Sequence, residues 1–335
     1  MKKVLFLFLL PFVVSTVVFS GGRGDAAAAV DSYPTRAVRW VVPAPAGAPL
    51  DLATRVLIDA INTLDFNQSL VVENIPGANQ TIGLAEVARR PADGYTWYTT
   101  AAAGMISQPL MTPLTYGFRD FRHIQWLTPP VLLLVAVRAD SPLRNAQDLM
   151  DFIRSGARFA WSTSFAGTAG HLQMSSVKDQ MGRFGDPNAI FMSYSGMPEA
   201  IMAVLNREVD MMIIDNDQAV PRVQNGELRV LAALHNERCH LFPDAPALSE
   251  YGITGLGTVV GLRWIGVRAD TPEPIVTQIK DIISRAIETP LYQDFLVRSH
   301  FPRMRAHSEE EVTGFLLNRA FPAWEAAMRL IDLID

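Results

Sequence analysis

The chain has 335 residues, enough for two domains of ordinary size, and carries 29 basic against 34 acidic residues for a formal charge of −5. An acidic chain without basic clusters argues against nucleic acid and anionic membrane surfaces as partners, although a pocket within it can still be locally positive. Cys239 is the single cysteine, which excludes an internal disulfide and leaves stability to an apolar core.

Residues 1–29 read as a secretory signal peptide. Lys2 and Lys3 give a positive start, residues 4–19 an apolar run, and Ala26 to Ala29 small residues for cleavage. Pro11 interrupts the run and argues against a retained anchor; no cysteine follows it as in a lipoprotein, and no later segment is long and apolar enough to span a bilayer. Export to the periplasm is the expected destination.

Short β-branched runs then alternate with helical patterns, as in an α/β protein with largely parallel sheets. Residues 38–42, 70–73 and 95–100 predict strands. Leu52, Val56, Ala60 and Leu64 recur every fourth residue and predict a helix, and residues 81–88 predict another. These elements fall in residues 30–128, the first part of domain 1. The apolar strand at 131–137 opens domain 2, residues 129–250. It has further strands at 158–161, 209–214 and 228–234, with helices at 146–154, 168–181 and 198–205. Residues 251–335 return to domain 1 through a strand at 258–267, a long helix ending at Ile287 and a helical C-terminus from 308 to 334. The sequence shows no internal repeat.

Three junctions look alike. Each is a strand, a loop of small or polar residues and a helix start: residues 41–51, 72–81 and 161–168. Such junctions place unpaired helix N-terminal amides at the carboxyl end of a parallel sheet, where they and the helix dipole suit an anion. Small residues let a ligand approach the backbone. The same residue types also fill ordinary βα turns, so each loop alone is weak and the three together carry the reading.

Over nearly the whole mature chain these residues resemble the Bug family, the extracytoplasmic solute receptors of tripartite tricarboxylate transporters. The marks, in order, are Tyr33-Pro34, the 43–51 loop with Asp51 and Arg55, Glu73-Asn74, Pro76-Gly77-Ala78, Thr81-Ile82-Gly83 and Asp93-Gly94-Tyr95-Thr96. Then follow Tyr194 with Gly196, Val209-Asp210, residues 226–232, residues 242–246 and Thr271-Pro272. The resemblance implies a two-domain periplasmic binding protein of type II-like wiring, with crossover strands at its hinge. It also implies a small carboxylate in the cleft, held by backbone amides, hydroxyls and water. By position it points to Ala46, Gly47, Ala48 and Asp51 in the first loop and Asn79, Gln80 and Thr81 in the second. From the other domain it points to Thr163, Ser164, Phe165, Gly167, Thr168, Tyr194 and Gly196. The implied partners are membrane permease subunits, and the chain is expected to be a monomer without a cofactor.

The loops depart from the family. Ala44, Ala46 and Ala48 replace a Phe, a Pro and a Gly; Asn79-Gln80 stands where Gly-Gly is usual, and Phe165 where glycine is common. Ser195 replaces a frequent lysine, and Ile214 aligns with a frequent aspartate, with Asp215 adjacent. Phe165 is expected either to wall the cleft against an aromatic or longer aliphatic carboxylate or to pack beneath its loop. Arg263 is expected either to meet a second ligand carboxylate, as in a dicarboxylate, or to be an exposed arginine at a strand end, the more ordinary reading.

An enzyme is the rival class. No Gly-x-Ser-x-Gly elbow is present, and His171 near Ser164 or Thr168 reads as a packing or capping residue. Cys239, between Arg238 and His240, reads as an inert thiol in a surface turn. No histidine or cysteine pair has ligand spacing, and Asp215-Asn216-Asp217 lacks the rest of a calcium loop and reads as a solvated turn. The glycines at 255, 257 and 261 lack dinucleotide-loop spacing, and Met202, Met211 and Met212 read as core filling. A receptor that reports to a signalling partner is a further alternative.

Overall fold

The fold is described from a computed structural model for residues 33–334 apart from Phe184 and Thr258. The signal-peptide reading of residues 1–29 lies outside the described residues.

Five strands form a first sheet: β1 Val38–Val42, β2 Leu70–Asn74, β3 Thr96–Ala101, β4 Phe121–Trp126 and a late strand, β10 Arg263–Arg268, in the order β2-β1-β3-β10-β4. β1 runs parallel to β2 and β3, while β10 is antiparallel to both β3 and β4. The second sheet holds β5 Leu133–Arg138, β6 Phe159–Thr163, β7 Ala189–Ser193, β8 Met211–Asp215 and β9 Leu228–Ala233, in the order β7-β6-β8-β5-β9. β6 is parallel to β7 and β8, and β5 is antiparallel to β8 and β9. The two sheets are therefore wired identically, although no repeat shows in the sequence: each takes one antiparallel strand from a chain segment that has just crossed from the other sheet.

The two crossings touch. The Val131 amide donates to the Gly261 carbonyl at 2.8 Å, and the Leu127 amide to Arg263 at 2.9 Å. A Cβ on Gly261 would lie 2.9 Å from the Val131 Cβ, so a side chain there would push the strands apart.

Helices cover both sheets. α1 Pro49–Asn62 and α2 Thr81–Arg89 follow β1 and β2, and a helical stretch over residues 103–111 ends in α3 Gln108–Met111. The second sheet carries α4 Ala146–Arg154, α5 Ala169–Gln180, α6 Met197–Leu205 and α7 Asn216–Gln224. The return supplies α8 Glu273–Ile287, α9 Pro290–Arg298, α10 Glu309–Phe315 and α11 Phe321–Leu330. α8 shows why a helix forms there: Ile275, Val276, Ile279, Ile282, Ile283 and Ile287 are buried at helical spacing. Each such side chain contributes roughly 1.5–3 kcal/mol on burial. Val312, Leu316, Ala320, Trp324 and Met328 make a similar stripe, and they join one apolar cluster with Leu172 and Met174 of α5. The C-terminal helices thus bridge the two sheets.

Several expectations change. The sheets are mixed rather than largely parallel, and β4, β7, α3, α7 and α9 are additional elements. β4 is obscured in the sequence because His123 and Gln125 are polar yet 1% exposed. His123 accepts from Trp264 Nε1 at 2.9 Å on Nδ1, which leaves Nε2 to donate to the Phe118 carbonyl at 3.2 Å. The expected strand at 258–267 begins only at Arg263, and the C-terminal helix stops at Leu330. Cys239 is buried rather than in a surface turn, and burial raises its thiol pKa against the pull of nearby amides. Met211 and Met212 are core, whereas Met202 is exposed.

Candidate functional site

The crossings join the sheets at one end of each. β3 ends at Ala101 opposite the start of β10, and β8 ends at Asp215 opposite the start of β5. The carboxyl ends of β1, β2 and β3 therefore lie on the side of the linkers, as do those of β6, β7 and β8, and the loops that follow them face a common interlobe region.

The first loop is held from inside. Asp51 is 1% exposed; it accepts from the Gly47 amide at 2.8 Å, from Asn74 Nδ2 at 2.8 Å and from Arg55 Nε at 2.9 Å. Burial works to raise its pKa, but the bonds from Arg55, Asn74 and Gly47 outweigh it and hold the carboxyl below its ordinary range. Asn74 also donates to the Ala44 carbonyl at 3.1 Å, and the Ala48 amide donates to Pro45 at 3.2 Å. Gly47 and Ala48 thus use their amides within the loop, the Asp51 side chain is a strut, and Ala46 is exposed. The first intrahelical bond of α1 runs from Leu52 to Ala48, and no side chain caps this end. The donors left over are the amides of Asp51, which the sequence reading names, and of Leu50, which it does not.

The second loop is a left-handed turn: φ is +43° at Ala78, +51° at Asn79 and +78° at Gln80. These angles favour glycine, which explains why Gly-Gly suits this position in the family. Here side chains stabilise the turn. Gln80 Oε1 accepts from Thr100 Oγ1 at 3.0 Å and from the Ala101 amide at 2.9 Å. Thr81 donates both its amide and its hydroxyl to the Ala78 carbonyl. Asn79 differs from both: it is 7% exposed, and its Nδ2 has no partner.

In the third loop the Gly167 amide donates to His171 Nδ1 at 3.1 Å, and the Thr168 hydroxyl to the Phe165 carbonyl at 2.9 Å. Thr163 is buried beneath α5, its hydroxyl 2.7 Å from where a Cβ on Gly170 would be. His171 packs in a cluster with Trp161 and Phe191, its ring stacked on Phe191 at 4.2 Å and 5.8 Å from Trp161. Burial, assisted by Lys178, lowers its pKa to about 4. It is a packed, neutral loop anchor, not a general base. Ser164 is half-buried, and its carbonyl accepts the Tyr194 amide at 2.8 Å. Phe165 is also half-buried and belongs to none of the three apolar clusters. The first intrahelical bond of α5 runs from Leu172 to Thr168, again without a side-chain cap, which leaves the amides of Ala169, Gly170 and His171 as donors.

This loop reaches the other sheet. A Cβ on Gly167 would lie 2.8 Å from Met111 Sδ and 3.2 Å from Ser107 Oγ, both in the helical stretch after β3. Tyr194 points elsewhere, into a groove with Met202, Ala203 and Glu208, and burial next to Glu208 raises its pKa. Gly196 stands at the head of α6 in extended backbone.

Arg263 departs most from expectation. It is 8% exposed, and its guanidinium binds Asp215 at 2.9 Å and Asp217 at 3.1 Å, so it spans the two sheets. The 215–217 run is therefore not a solvated turn. Asn216 within it is buried, accepting the Leu132 amide at 3.2 Å and donating its own amide to the Leu132 carbonyl at 2.9 Å.

Comparison with known proteins gives a consistent picture. The family model described as "Tripartite tricarboxylate transporter family receptor" matches residues 54–317. A UPF0065 protein of Bordetella pertussis is 28% identical over 272 residues, 79% of this chain and 81% of the relative. Protein BugT of the same organism is 26% identical over 287 residues, 81% of this chain and 83% of the relative. Among solved structures, the periplasmic binding protein BugD superposes with a TM-score of 0.77 at 24% identity, covering 90% of this chain and 99% of that one. MatC of Rhodopseudomonas palustris, solved with malate, gives 0.74 at 22% identity, covering 90% and 100%. An R. palustris protein solved with adipate gives 0.79 at 23% identity, covering 90% and 98%. At these identities the structures show a shared fold.

Proposed function

Because this chain belongs to the tripartite tricarboxylate transporter receptor family, we propose that it captures a small carboxylate between its two lobes and passes it to membrane permease subunits. The observation that carries this reading is the pair of uncapped helix heads, α1 and α5, which come from different sheets and face one interlobe region. A carboxylate between them meets the amides of Leu50 and Asp51 from one side and those of Ala169 and Gly170 from the other, with Asn79 Nδ2 and the Ser164 hydroxyl in support. Bonds to a charged acceptor contribute about 1.5–3 kcal/mol each, so four supply roughly 6–12 kcal/mol gross against the about 8 kcal/mol of micromolar binding, and the supporting polar and apolar contacts offset the cost of immobilising the ligand.

The related proteins solved with malate and adipate hold dicarboxylates. In this chain Arg263 is already held by two aspartates, so it is not free for a second carboxylate. The half-buried Phe165 suits an apolar remainder: an aromatic ring, or a methylene chain as in adipate. Binding proceeds by closure, since only the closed form brings both helix heads to the ligand. The receptor acts as a periplasmic monomer without catalytic chemistry.

Thermal-shift screening against mono- and dicarboxylates, with mass spectrometry of co-purified solute, tests the proposal. A true ligand at one hundred times its Kd stabilises the fold by about 2.7 kcal/mol. A panel in which no carboxylate raises the melting temperature, while a cationic or neutral solute does, would overturn it.

A further inference from the structure

The Arg263 cluster spans the hinge with unbalanced charge. Arg263 comes from β10 of the first sheet, two residues from the Gly261–Val131 contact; Asp215 ends β8, and Asp217 lies in the first turn of α7, both on the second sheet. Two carboxylates share one guanidinium in a largely enclosed place, with side chains 10% (Arg263), 22% (Asp215) and 7% (Asp217) exposed. Asp217 Oδ1 is buried without a partner. Bonds of 2.9 and 3.1 Å do not survive a shift of about 1 Å, so moving the sheets apart separates the cluster and hydrates it.

We propose that closing the lobes takes up one proton on the Asp215–Asp217–Arg263 cluster, so that mild acid favours the closed receptor. Enclosing two negative charges around one positive charge leaves a net negative charge in a poorly hydrated place, and one added proton removes it. The proton goes to Asp215. Burial pushes its pKa up to about 6, against the pull of Arg263 and with the help of Asp217. The other groups facing the cluster do not compete. Tyr292 of α9 faces Arg263, is raised far above its ordinary range by burial and donates its hydroxyl to the Leu127 carbonyl. The side chain of Asn216 is committed to Leu132.

The sign follows from linkage. An Asp215 exposed in an open form titrates near 3.9, so between that value and about 6 the closed form binds the additional proton. Lowering the pH from 7.5 to 5 then shifts the closed-to-open ratio roughly tenfold toward closed. The inference rests on the proposed function only in taking the two lobes to move as a hinge.

Protons alone serve as the probe. Spin labels placed by Asp59→Cys on α1 and Gln147→Cys on α4, both exposed positions, report the distance between the lobes, while the buried Cys239 is spared. At pH 5 the shorter distance is expected to gain about tenfold over the longer one relative to pH 7.5. Asp215→Asn is expected to abolish that response. Asp217→Asn, which restores a balanced pair with Arg263, is expected to abolish it as well and answers the question should the first variant fail to fold. Identical distance distributions at the two pH values in the parent, or an undiminished response in the variants, would overturn the proposal. Because no solute is added, a failed carboxylate screen leaves this result intact.

Discussion

The Gly47 amide donates to the carboxylate of Asp51 four residues later, at 2.8 Å, and this one bond decides how the first loop presents its backbone. With Asn74 on the other oxygen, the carboxylate ties loop, helix and β2 together. Asp51→Ala leaves the Gly47 amide without its acceptor and Asn74 Nδ2 with the Ala44 carbonyl alone, and is expected to cost about 3 kcal/mol. The outer contact with Arg55, whose side chain is 45% exposed, adds little to that figure. Asp51→Asn retains one acceptor and is expected to cost about half as much. Urea unfolding midpoints check both values, and an Asp51→Ala protein as stable as the parent would show that the loop holds itself.

Asn79 separates stability from binding. Its Nδ2 is an unpaired buried donor on a left-handed residue. Asn79→Gly removes that donor, for a gain of about 1 kcal/mol, while glycine's chain entropy and the relief of left-handed strain roughly cancel. The same change deletes a bond to the ligand and is expected to weaken the best carboxylate from the screen roughly tenfold. Calorimetric titration and urea unfolding should therefore move in opposite directions. Affinity unchanged in the variant would place Nδ2 away from the ligand.

The pH dependence of stability has a worked sign. Burial lowers His123 and His171 each to about 4, so unfolding allows both to take up a proton below about 6.5. Their stabilising contribution is therefore present above that pH and lost as the pH falls toward 4. Asp215, raised to about 6, acts in the opposite sense, because the folded form holds its proton more tightly. Between pH 6 and 4 these three groups together leave the unfolded chain with about one more bound proton, a contribution of about 1.4 kcal/mol per pH unit to the fall in stability, to which His307, also lowered by burial, adds in the same sense. Asp215→Asn is expected to double that slope, and denaturant midpoints at half-unit intervals read it directly. A flat profile over this range would mean that the two histidines are hydrated in the folded protein.

Sequence and structure agree where a pattern depends on near neighbours. α8 is legible because its isoleucines recur at helical spacing, and α4 spans the same residues as expected. The three loops also stand where their small residues place them. The choice of amides within them is not legible, because local partners decide it: Asp51 takes Gly47, Ala78 takes Thr81 and His171 takes Gly167. A stricter use of helix geometry, in which the first-turn amides are the free ones, points to Leu50 and Ala169 without coordinates. Arg263 lies beyond local reading altogether, since its partners are 46 and 48 residues away on the other sheet. β4 escapes for the opposite reason, a polar sequence made buried by Trp264 and Phe118.

Phe165 gives the sharpest test of ligand class. It stands in the third loop, half-buried and outside all three apolar clusters, so it does not hold the second lobe together. Its carbonyl, not its ring, anchors the loop through the Thr168 hydroxyl, and Phe165→Ala keeps that bond. The variant is therefore expected to fold with a stability within about 0.5 kcal/mol of the parent, as for substitutions away from the core. If the ring walls the cleft, its loss removes apolar contact area from an aromatic or adipate-like ligand, a loss of roughly 1–2 kcal/mol or five- to thirtyfold in affinity. Small hydroxylated acids, which do not reach the ring, should be unaffected or bind slightly better. Isothermal titration of parent and variant against one acid of each kind resolves the question. A parent that prefers the hydroxylated acid, or a variant that loses both ligands equally, would remove Phe165 from the specificity of this receptor.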